Sequence, residues 1–171
     1  MADLRTFIRD VPDFPKPGIL FKDITPLLRS KDALRQTIDG LASRYSSARV
    51  TQVAGIESRG FIFGSAVARA LNVGFIPIRK PGKLPWTTRR NEYKLEYGSD
   101  SLEIHDDAAA PEDRVLIVDD VLATGGTAAA AVALVRGFGA TLVGVATVIE
   151  LTFLDPRKKL EGVDVHTLIQ Y

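Results

Sequence analysis

Apolar positions along the chain follow two spacings, one typical of helices and one typical of buried strands, and the two alternate. Leu34, Ile38 and Leu41 recur at the spacing of one helix face, which predicts a helix over residues 31–47. Arg49–Ile56 then has the pattern of a buried strand, and Gly60–Leu71 returns to that of a helix. The folded core is therefore predicted to begin with helix, strand and helix in turn.

The rest of the chain continues this alternation. We predict a helix over Gly126–Phe138 and further strands over Val73–Arg79, Val115–Asp119, Thr141–Glu150 and Val163–Ile169. Strands separated by helices require crossover connections, which make neighbouring strands parallel. The expected fold class is α/β, a parallel twisted sheet flanked by helices, in a single domain over residues 1–171.

One stretch departs from the alternation. Lys80–Arg90 is rich in proline, glycine and charged residues, which predicts a loop. Two short segments of alternating polarity, Tyr93–Tyr97 and Ser101–His105, then predict a β-hairpin joined around Gly98. This hairpin would lie between the second and third strands of the sheet along the chain.

Composition narrows the class of protein. The net charge of +1 creates no field that would draw the chain to nucleic acid or to a membrane surface. The absence of cysteine excludes disulfides, thiolate nucleophiles and cysteine-based zinc sites. No apolar run is long enough to span a bilayer, and the first residues lack the apolar core of a signal peptide. We therefore expect a cytoplasmic protein without nucleic-acid or membrane partners.

The most distinctive motif follows the predicted strand Val115–Asp119. It consists of Asp119 and Asp120, a short spacer, the Thr-Gly-Gly-Thr loop of residues 124–127, and then a helix. Gly125 and Gly126 are both expected to allow positive φ and close approach to a ligand. The amides of Ala123–Thr127 and the helix N-terminus would favour a phosphate group.

The motif matches neither of the common nucleotide-binding loops. No Gly-Lys-Ser/Thr follows the glycines, and the nearby Gly137-Phe-Gly139 ends a helix and does not begin one. Asp119 and Asp120 are placed to hold ribose hydroxyls or a hydrated Mg²⁺. A site for one phosphate next to a site for one diol matches the two polar ends of a ribose 5-phosphate.

Two other predicted strands also end in charged residues. Glu57-Ser58-Arg59 follows the first strand, while the second ends at Arg79 and is followed by Lys80 and Lys83. Each cation alone is more simply interpreted as a solvated loop residue. Since the ends of parallel strands meet at one edge, the cations together predict a site for a strongly anionic group such as pyrophosphate.

Over nearly its whole length the chain resembles the bacterial adenine phosphoribosyltransferases, which belong to the type I phosphoribosyltransferases. The Asp-Asp–Thr-Gly-Gly-Thr motif resembles the phosphoribosyl-diphosphate signature of the larger family. The other segments that carry the resemblance are Phe14–Leu28 for the base-binding hood, Gly55–Phe61 for the pyrophosphate loop, Ile78–Pro85, Tyr93–Gly98 for the mobile catalytic loop, and Glu150–Leu154.

The resemblance implies a fold with a small N-terminal hood over about residues 1–30, a core over about residues 31–171, and a β-hairpin lid. It also implies a homodimer in which the loop Lys80–Arg90 reaches the partner site. Type I relatives often hold a non-proline cis peptide in the pyrophosphate loop, so the Glu57–Ser58 bond is expected to be cis.

The implied reaction is adenine plus phosphoribosyl diphosphate giving AMP and pyrophosphate, with Mg²⁺ held mainly by the substrate. The residues expected at the site fall into four groups: Glu96 as catalytic residue with Tyr97 closing the site; Asp119, Asp120, Ala123, Thr124, Gly125, Gly126 and Thr127 for the phosphoribosyl group; Glu57, Ser58, Arg59, Lys80 and Lys83 for pyrophosphate; and Leu20, Phe21 and Lys22 for adenine.

Two alternatives stay open at this point. One is a phosphoribosyl-diphosphate-responsive regulator that binds nucleic acid, although the chain has no basic excess and no recognisable DNA-binding domain. The other is a transferase for hypoxanthine, xanthine or orotate, since only the resemblance of the hood favours adenine.

Overall fold

Nine strands and four α-helices make up the part of the chain that the computed structural model describes, residues 2–94 and 99–171. The strands are β1 (Arg9–Pro12), β2 (Leu20–Asp23), β3 (Gln52–Ile56), β4 (Gly74–Ile78), β5 (Thr88–Lys94), β6 (Ser99–His105), β7 (Arg114–Leu122), β8 (Thr141–Glu150) and β9 (Val165–Gln170). The helices are α1 (Thr25–Arg29), α2 (Lys31–Ser43), α3 (Gly60–Leu71) and α4 (Gly126–Arg136), with short 3₁₀ helices at Leu4–Phe7, Thr152–Leu154 and Pro156–Lys159.

The central sheet has five parallel strands in the order β4–β3–β7–β8–β9, which confirms the predicted fold class. The chain first moves outward from β3 to β4 and then returns to the other side of β3 to form β7. The strand order therefore reverses between β3 and β7. Connections leave such a point in opposite directions and open a crevice beyond the carboxyl ends of the strands.

Two apolar layers enclose the sheet. In β7, Leu116 and Val118 contribute to the layer formed with α2 and α3, whereas Val115 and Ile117 contribute to the layer formed with α4 and the β5–β6 hairpin. This assignment follows from the alternation of side chains along a strand. All four side chains are fully buried, so β7 is covered on both faces as expected for a central parallel strand.

Several predicted boundaries are confirmed and others are shifted. The bounds of α3 and β8 match the prediction, but β3 begins later because Arg49 has a φ of +52°, which no strand accommodates. α2 ends at Ser43, and residues 44–49 form turns. β7 continues beyond Asp119 to Leu122, because its pairing with β8 extends as far as Glu150.

The hairpin is confirmed, but the predicted loop Lys80–Arg90 is wrong at its end. Thr88 already pairs with His105 in the antiparallel β5–β6 ladder, so the last three residues of that loop belong to a strand. An isolated bridge between Arg79 and Glu103 joins this hairpin to the end of β4. Leu95–Gly98, at the predicted turn, lie outside the described residues.

The N-terminal segment forms a small antiparallel pair, β1 with β2, followed by α1. The Lys22 ammonium on β2 donates to the Asp10 carboxylate on β1 at 2.6 Å and lies 3.8 Å from the centre of the Tyr171 ring. The pair is thereby attached to the residue after β9. Among the described helices, none is long and apolar enough to cross a membrane.

Candidate active site

A cavity of about 530 Å³ opens beyond the carboxyl ends of β3 and β7, where the strand order reverses. It brings together residues from the N-terminal pair, from the turn after β3, from the end of β4 and from the end of β7. The predicted site residues that line it are Leu20, Phe21, Lys22, Glu57, Ser58, Arg59, Lys80, Asp119, Asp120, Ala123 and Thr127.

The remaining predicted residues lie elsewhere. Thr124 and Gly125 line a smaller cavity of about 80 Å³ that shares Asp119, Val121, Ala123 and Thr127 with the larger one. Gly126 is the first residue of α4. The exposed Lys83 is not among the residues lining either cavity. Glu96 and Tyr97 lie outside the described residues.

Asp119 and Asp120 are consecutive residues of β7, so their side chains leave opposite faces of the sheet. The Arg59 Nε donates to the Asp120 carboxylate at 2.5 Å, which ties the end of β7 to the start of α3. Asp119 accepts a hydrogen bond from the Asp120 backbone N–H at 2.9 Å. Burial and the neighbouring charge of Asp120 raise the pKa of Asp119 well above its usual value.

The loop of residues 123–127, which we call the phosphate loop after its predicted ligand, has one glycine whose conformation other residues rarely adopt. Gly125 has a φ of +77° and is the N-cap of α4. A Cβ at this position would lie 2.4 Å from the Pro156 carbonyl oxygen. Gly126 begins the first turn of α4, where helical dihedrals apply, so Gly125 is the one of the two glycines that provides the positive φ. The N–H groups of this turn have no partners within the helix and can bind an anion.

The turn after β3 contains the predicted cis bond between Glu57 and Ser58. The Glu57 carboxylate accepts a hydrogen bond from Arg79 Nε at 2.8 Å, and Arg79 Nη1 donates to the Lys83 carbonyl oxygen at 3.0 Å. The structure thus gives Arg79 a role in joining the turns after β3 and β4. It leaves Arg59 and Lys80 as the cations whose side chains line the cavity on this side.

The N-terminal side of the cavity is apolar. The Phe21 ring lies under the Arg59 guanidinium, 5.0 Å from its Cζ, and packs edge-on against Phe14 with ring centres 5.1 Å apart. Leu20 is 50% exposed and Leu154, from the 3₁₀ helix after β8, is 39% exposed, and both line the cavity. Exposed apolar side chains facing a common space are suited to a flat, weakly polar ring.

Sequence reasoning missed several lining residues. Ile19, Val121, Leu151 and Leu154 face the larger cavity, and Thr147 faces the smaller one. Leu151 and Leu154 belong to a segment that only the family resemblance singles out. Ile19 could have been suspected, because it is an apolar residue in a proline- and glycine-rich stretch with no helix or strand pattern to bury it.

Comparison with known proteins agrees with this geometry. The family model described as "Phosphoribosyl transferase domain" matches residues 27–166. The adenine phosphoribosyltransferase of Gloeobacter violaceus is 57% identical over 170 residues, 99% of each chain.

Solved structures extend the likeness to the fold. The adenine phosphoribosyltransferase of Thermoanaerobacter pseudethanolicus superimposes with a TM-score of 0.96 at 50% identity over 98% of each chain. That of Saccharomyces cerevisiae, in complex with an imino-altritol bisphosphate and adenine, gives 0.92 at 43% identity over 96% of each chain. The chain therefore belongs to the adenine phosphoribosyltransferase family of type I phosphoribosyltransferases.

Proposed function

We propose that the protein transfers the 5-phosphoribosyl group of phosphoribosyl diphosphate to adenine in purine salvage, giving AMP and pyrophosphate. The observation that carries this proposal is the meeting of four segments at one cavity. These are the apolar N-terminal pair, the Glu57–Arg59 turn, the Asp119–Asp120 pair and the phosphate loop. Each segment suits one part of the two substrates.

The phosphoribosyl group is assigned to the end of β7 and the start of α4. The amides of Ala123, Thr124, Gly125, Gly126 and Thr127 would hold the 5-phosphate, with the N-terminal end of the α4 dipole favouring its charge. Asp119 and Asp120 would accept hydrogen bonds from the ribose hydroxyls. Holding the sugar at both ends orients its reacting carbon, which lowers the entropic part of the barrier.

The pyrophosphate is assigned to the turns after β3 and β4. Cleavage of its bond to the ribose leaves an oxocarbenium-like sugar and a highly charged leaving group. Arg59 and Lys80 line the cavity and would stabilise that charge, with Ser58 and the backbone of Glu57 as further donors. Lys83 would join them from the loop after β4 of a partner subunit.

Mg²⁺ fits this site as an ion carried by the substrate. The described residues contain no group of three or more acidic, histidine or cysteine side chains able to hold a metal. Mg²⁺ commonly binds through one or two carboxylates together with substrate phosphates, and Asp119 and Asp120 supply such carboxylates. The bound ion would neutralise part of the pyrophosphate charge.

Adenine is assigned to the apolar side of the cavity. Leu20 and Phe21 would contact its faces, and backbone groups of this strand, including those of Lys22, would read its edge. The Lys22 ammonium is already paired with Asp10, which favours the backbone for this contact. The yeast relative, solved in complex with adenine, supports a base site in this fold.

Glu96 is assigned the proton transfer from adenine, and Tyr97 is assigned the closure of the site.

The working unit is proposed to be a cytoplasmic homodimer. Lys83 is exposed and does not line the cavity of its own subunit, which favours a role in the partner's site.

The test is turnover by the purified protein with phosphoribosyl diphosphate, Mg²⁺ and one base at a time. We expect AMP and pyrophosphate with adenine, and no nucleotide with hypoxanthine, xanthine or orotate. Omitting Mg²⁺, or adding a chelator, should abolish the reaction. If only one of the other bases gave a nucleotide, that base and not adenine would be the acceptor. If none of the bases were turned over, the regulatory alternative would be supported.

A further inference from the structure

Thr147 on β8 carries a hydroxyl without a structural role among the described residues. Its side chain is fully buried, and Oγ1 has no hydrogen-bond partner in residues 2–94 or 99–171. A buried hydroxyl without a partner lowers stability, because it has given up its hydrogen bonds to water. Such a group in a folded protein needs an explanation, and a ligand that completes the bond on binding is one.

The surroundings of Thr147 point to the site. It lines the 80 Å³ cavity together with Thr124, Gly125 and Ala128, which form the phosphate loop and the first turn of α4. A water molecule occupies roughly 30 Å³ in the liquid, so this space exceeds one water. The hydroxyl therefore faces the loop from the sheet side, across a space large enough for a small polar group.

The register of the sheet fixes this placement. Thr147 is the partner of Asp119 in the β7–β8 ladder, so both side chains leave the same face of the sheet, the one that α4 covers. Asp119 is the carboxylate that faces this cavity.

We propose that Thr147 is a phosphate-binding residue whose hydroxyl donates a hydrogen bond to the ribose 5-phosphate group seated in the loop at the start of α4. Thr147 would donate from the sheet side, whereas the other donors to this phosphate come from the loop and the helix. This inference rests on the proposed function, since it assigns one more residue to the same phosphate. Hydrogen bonds to charged groups are stronger than neutral ones, so losing this one should weaken binding about tenfold or more.

The test compares variants that differ in the hydroxyl. Thr147→Val removes the hydroxyl and keeps the shape, Thr147→Ala is a second variant without it, and Thr147→Ser retains it. Calorimetric titration with ribose 5-phosphate should give a dissociation constant about tenfold or more higher for the valine and alanine variants. The serine variant should bind nearly as the wild type. In steady-state assays, the KM for phosphoribosyl diphosphate should rise more than kcat falls.

Thr37→Val is the matched control, because Thr37 is also fully buried but its Oγ1 donates to the Ala33 carbonyl oxygen at 2.8 Å. Loss of that bond should lower the melting temperature of the free protein by about 2–4 °C and leave ligand binding unchanged. Thr147→Val should not lower the melting temperature, because its hydroxyl has no partner to lose.

Unchanged ribose 5-phosphate binding in both hydroxyl-free variants would overturn the inference. A fall in melting temperature for Thr147→Val equal to that of Thr37→Val would also overturn it, by revealing a structural bond. Failure of the wild-type protein to bind ribose 5-phosphate or phosphoribosyl diphosphate would refute the proposed function itself, and is thus distinguishable.

Discussion

At Gly125 the backbone of the phosphate loop passes so close to Pro156 that a side chain has no room. The two residues belong to different crossovers, one before α4 and one after β8. The loop therefore depends on glycine for its positive φ and for the absence of a Cβ. Gly162 shares only the first of these two requirements: its φ is +71°, but a Cβ at that position would meet nothing within 4 Å.

Gly125→Ala should raise the KM for phosphoribosyl diphosphate by about tenfold or more, since the loop must shift to relieve the contact and lose hydrogen bonds to the phosphate. Gly162→Ala should be destabilised by about 1 kcal/mol for its positive φ and keep the wild-type KM. Steady-state kinetics and thermal unfolding of both variants check this. An equal KM in the two would contradict a role for the close contact.

Asp120→Ala should reduce kcat/KM by about a hundredfold or more, because the ribose loses a group that orients it. The variant should still fold, since Arg59 is 40% exposed and water can solvate its charge. Asp32→Ala, on the exposed face of α2, is the control for removing a carboxylate paired with arginine. Wild-type activity in a folded Asp120→Ala would falsify the assignment.

Glu150, at the end of β8, binds Arg157 and so holds the segment that contacts the phosphate loop through Pro156. Its carboxylate is 2% exposed and accepts hydrogen bonds from Nε and Nη2 of Arg157, and from Thr167 and Gln170. These bonds, led by those from Arg157, lower the pKa of Glu150 to about 2. They hold the segment that carries Leu154 and Pro156 against β9.

Acid should weaken this attachment in a defined range of pH. Because the pKa of Glu150 is about 2 in the folded state and about 4.3 when unfolded, it stabilises the fold above pH 4.3 and loses this effect as the pH falls toward 2. Glu150→Gln should lower the free energy of unfolding by about 1–3 kcal/mol at pH 7. Denaturant titrations at several pH values should show that difference shrinking below pH 4.3.

The exposed Glu161, in the same part of the chain, provides the control. Glu161→Gln should leave stability within about 0.5 kcal/mol of the wild type at every pH. A difference between Glu150→Gln and the wild type that stays constant from pH 7 to pH 3 would contradict the assigned titration.

Glu96 lies in the sequence between β5 and β6, outside the described residues. Glu96→Gln keeps the shape of the side chain and removes its charge. We expect a large fall in kcat with a much smaller change in adenine binding, because the carboxylate acts mainly in the transition state. Glu92→Gln, on β5 and paired with Arg90, is the control for charge in this hairpin. Weaker adenine binding with an unchanged single-turnover rate would make Glu96 a binding residue.

Elements with strong local patterns could be predicted from the sequence, and features that depend on register could not. The bounds of α3 and β8 follow from their own residues, and the Asp-Asp pair and phosphate loop are contiguous. The extension of β7 depends on its pairing with β8. Thr147 faces the loop only through that register, and the partners of Glu150 come from positions 157, 167 and 170. No local pattern contains these contacts.

For the whole molecule, we expect a dimer of about twice 18.6 kDa by light scattering after gel filtration. If Lys83 serves the partner's site, mixing Lys83→Ala subunits with Asp120→Ala subunits should restore activity. In such a mixed dimer one site has an intact Asp120 and receives an intact Lys83. Mixing Lys83→Ala with itself is the control. A fully active monomer, or mixed dimers no better than the parents, would count against this arrangement.

The position of the N-terminal pair in the chain affects how specificity for the acceptor base could change. Residues 9–23 precede every strand of the central sheet, whereas the phosphate loop and the Glu57–Arg59 turn are connections within the sheet. Substitutions in the N-terminal pair that keep the Phe21–Arg59 contact can therefore reshape the apolar wall without altering β3, β7 or α4. In an evolutionary or engineering setting, the donor-binding half can stay constant while the acceptor-binding half diversifies, so that one scaffold serves different nucleobases.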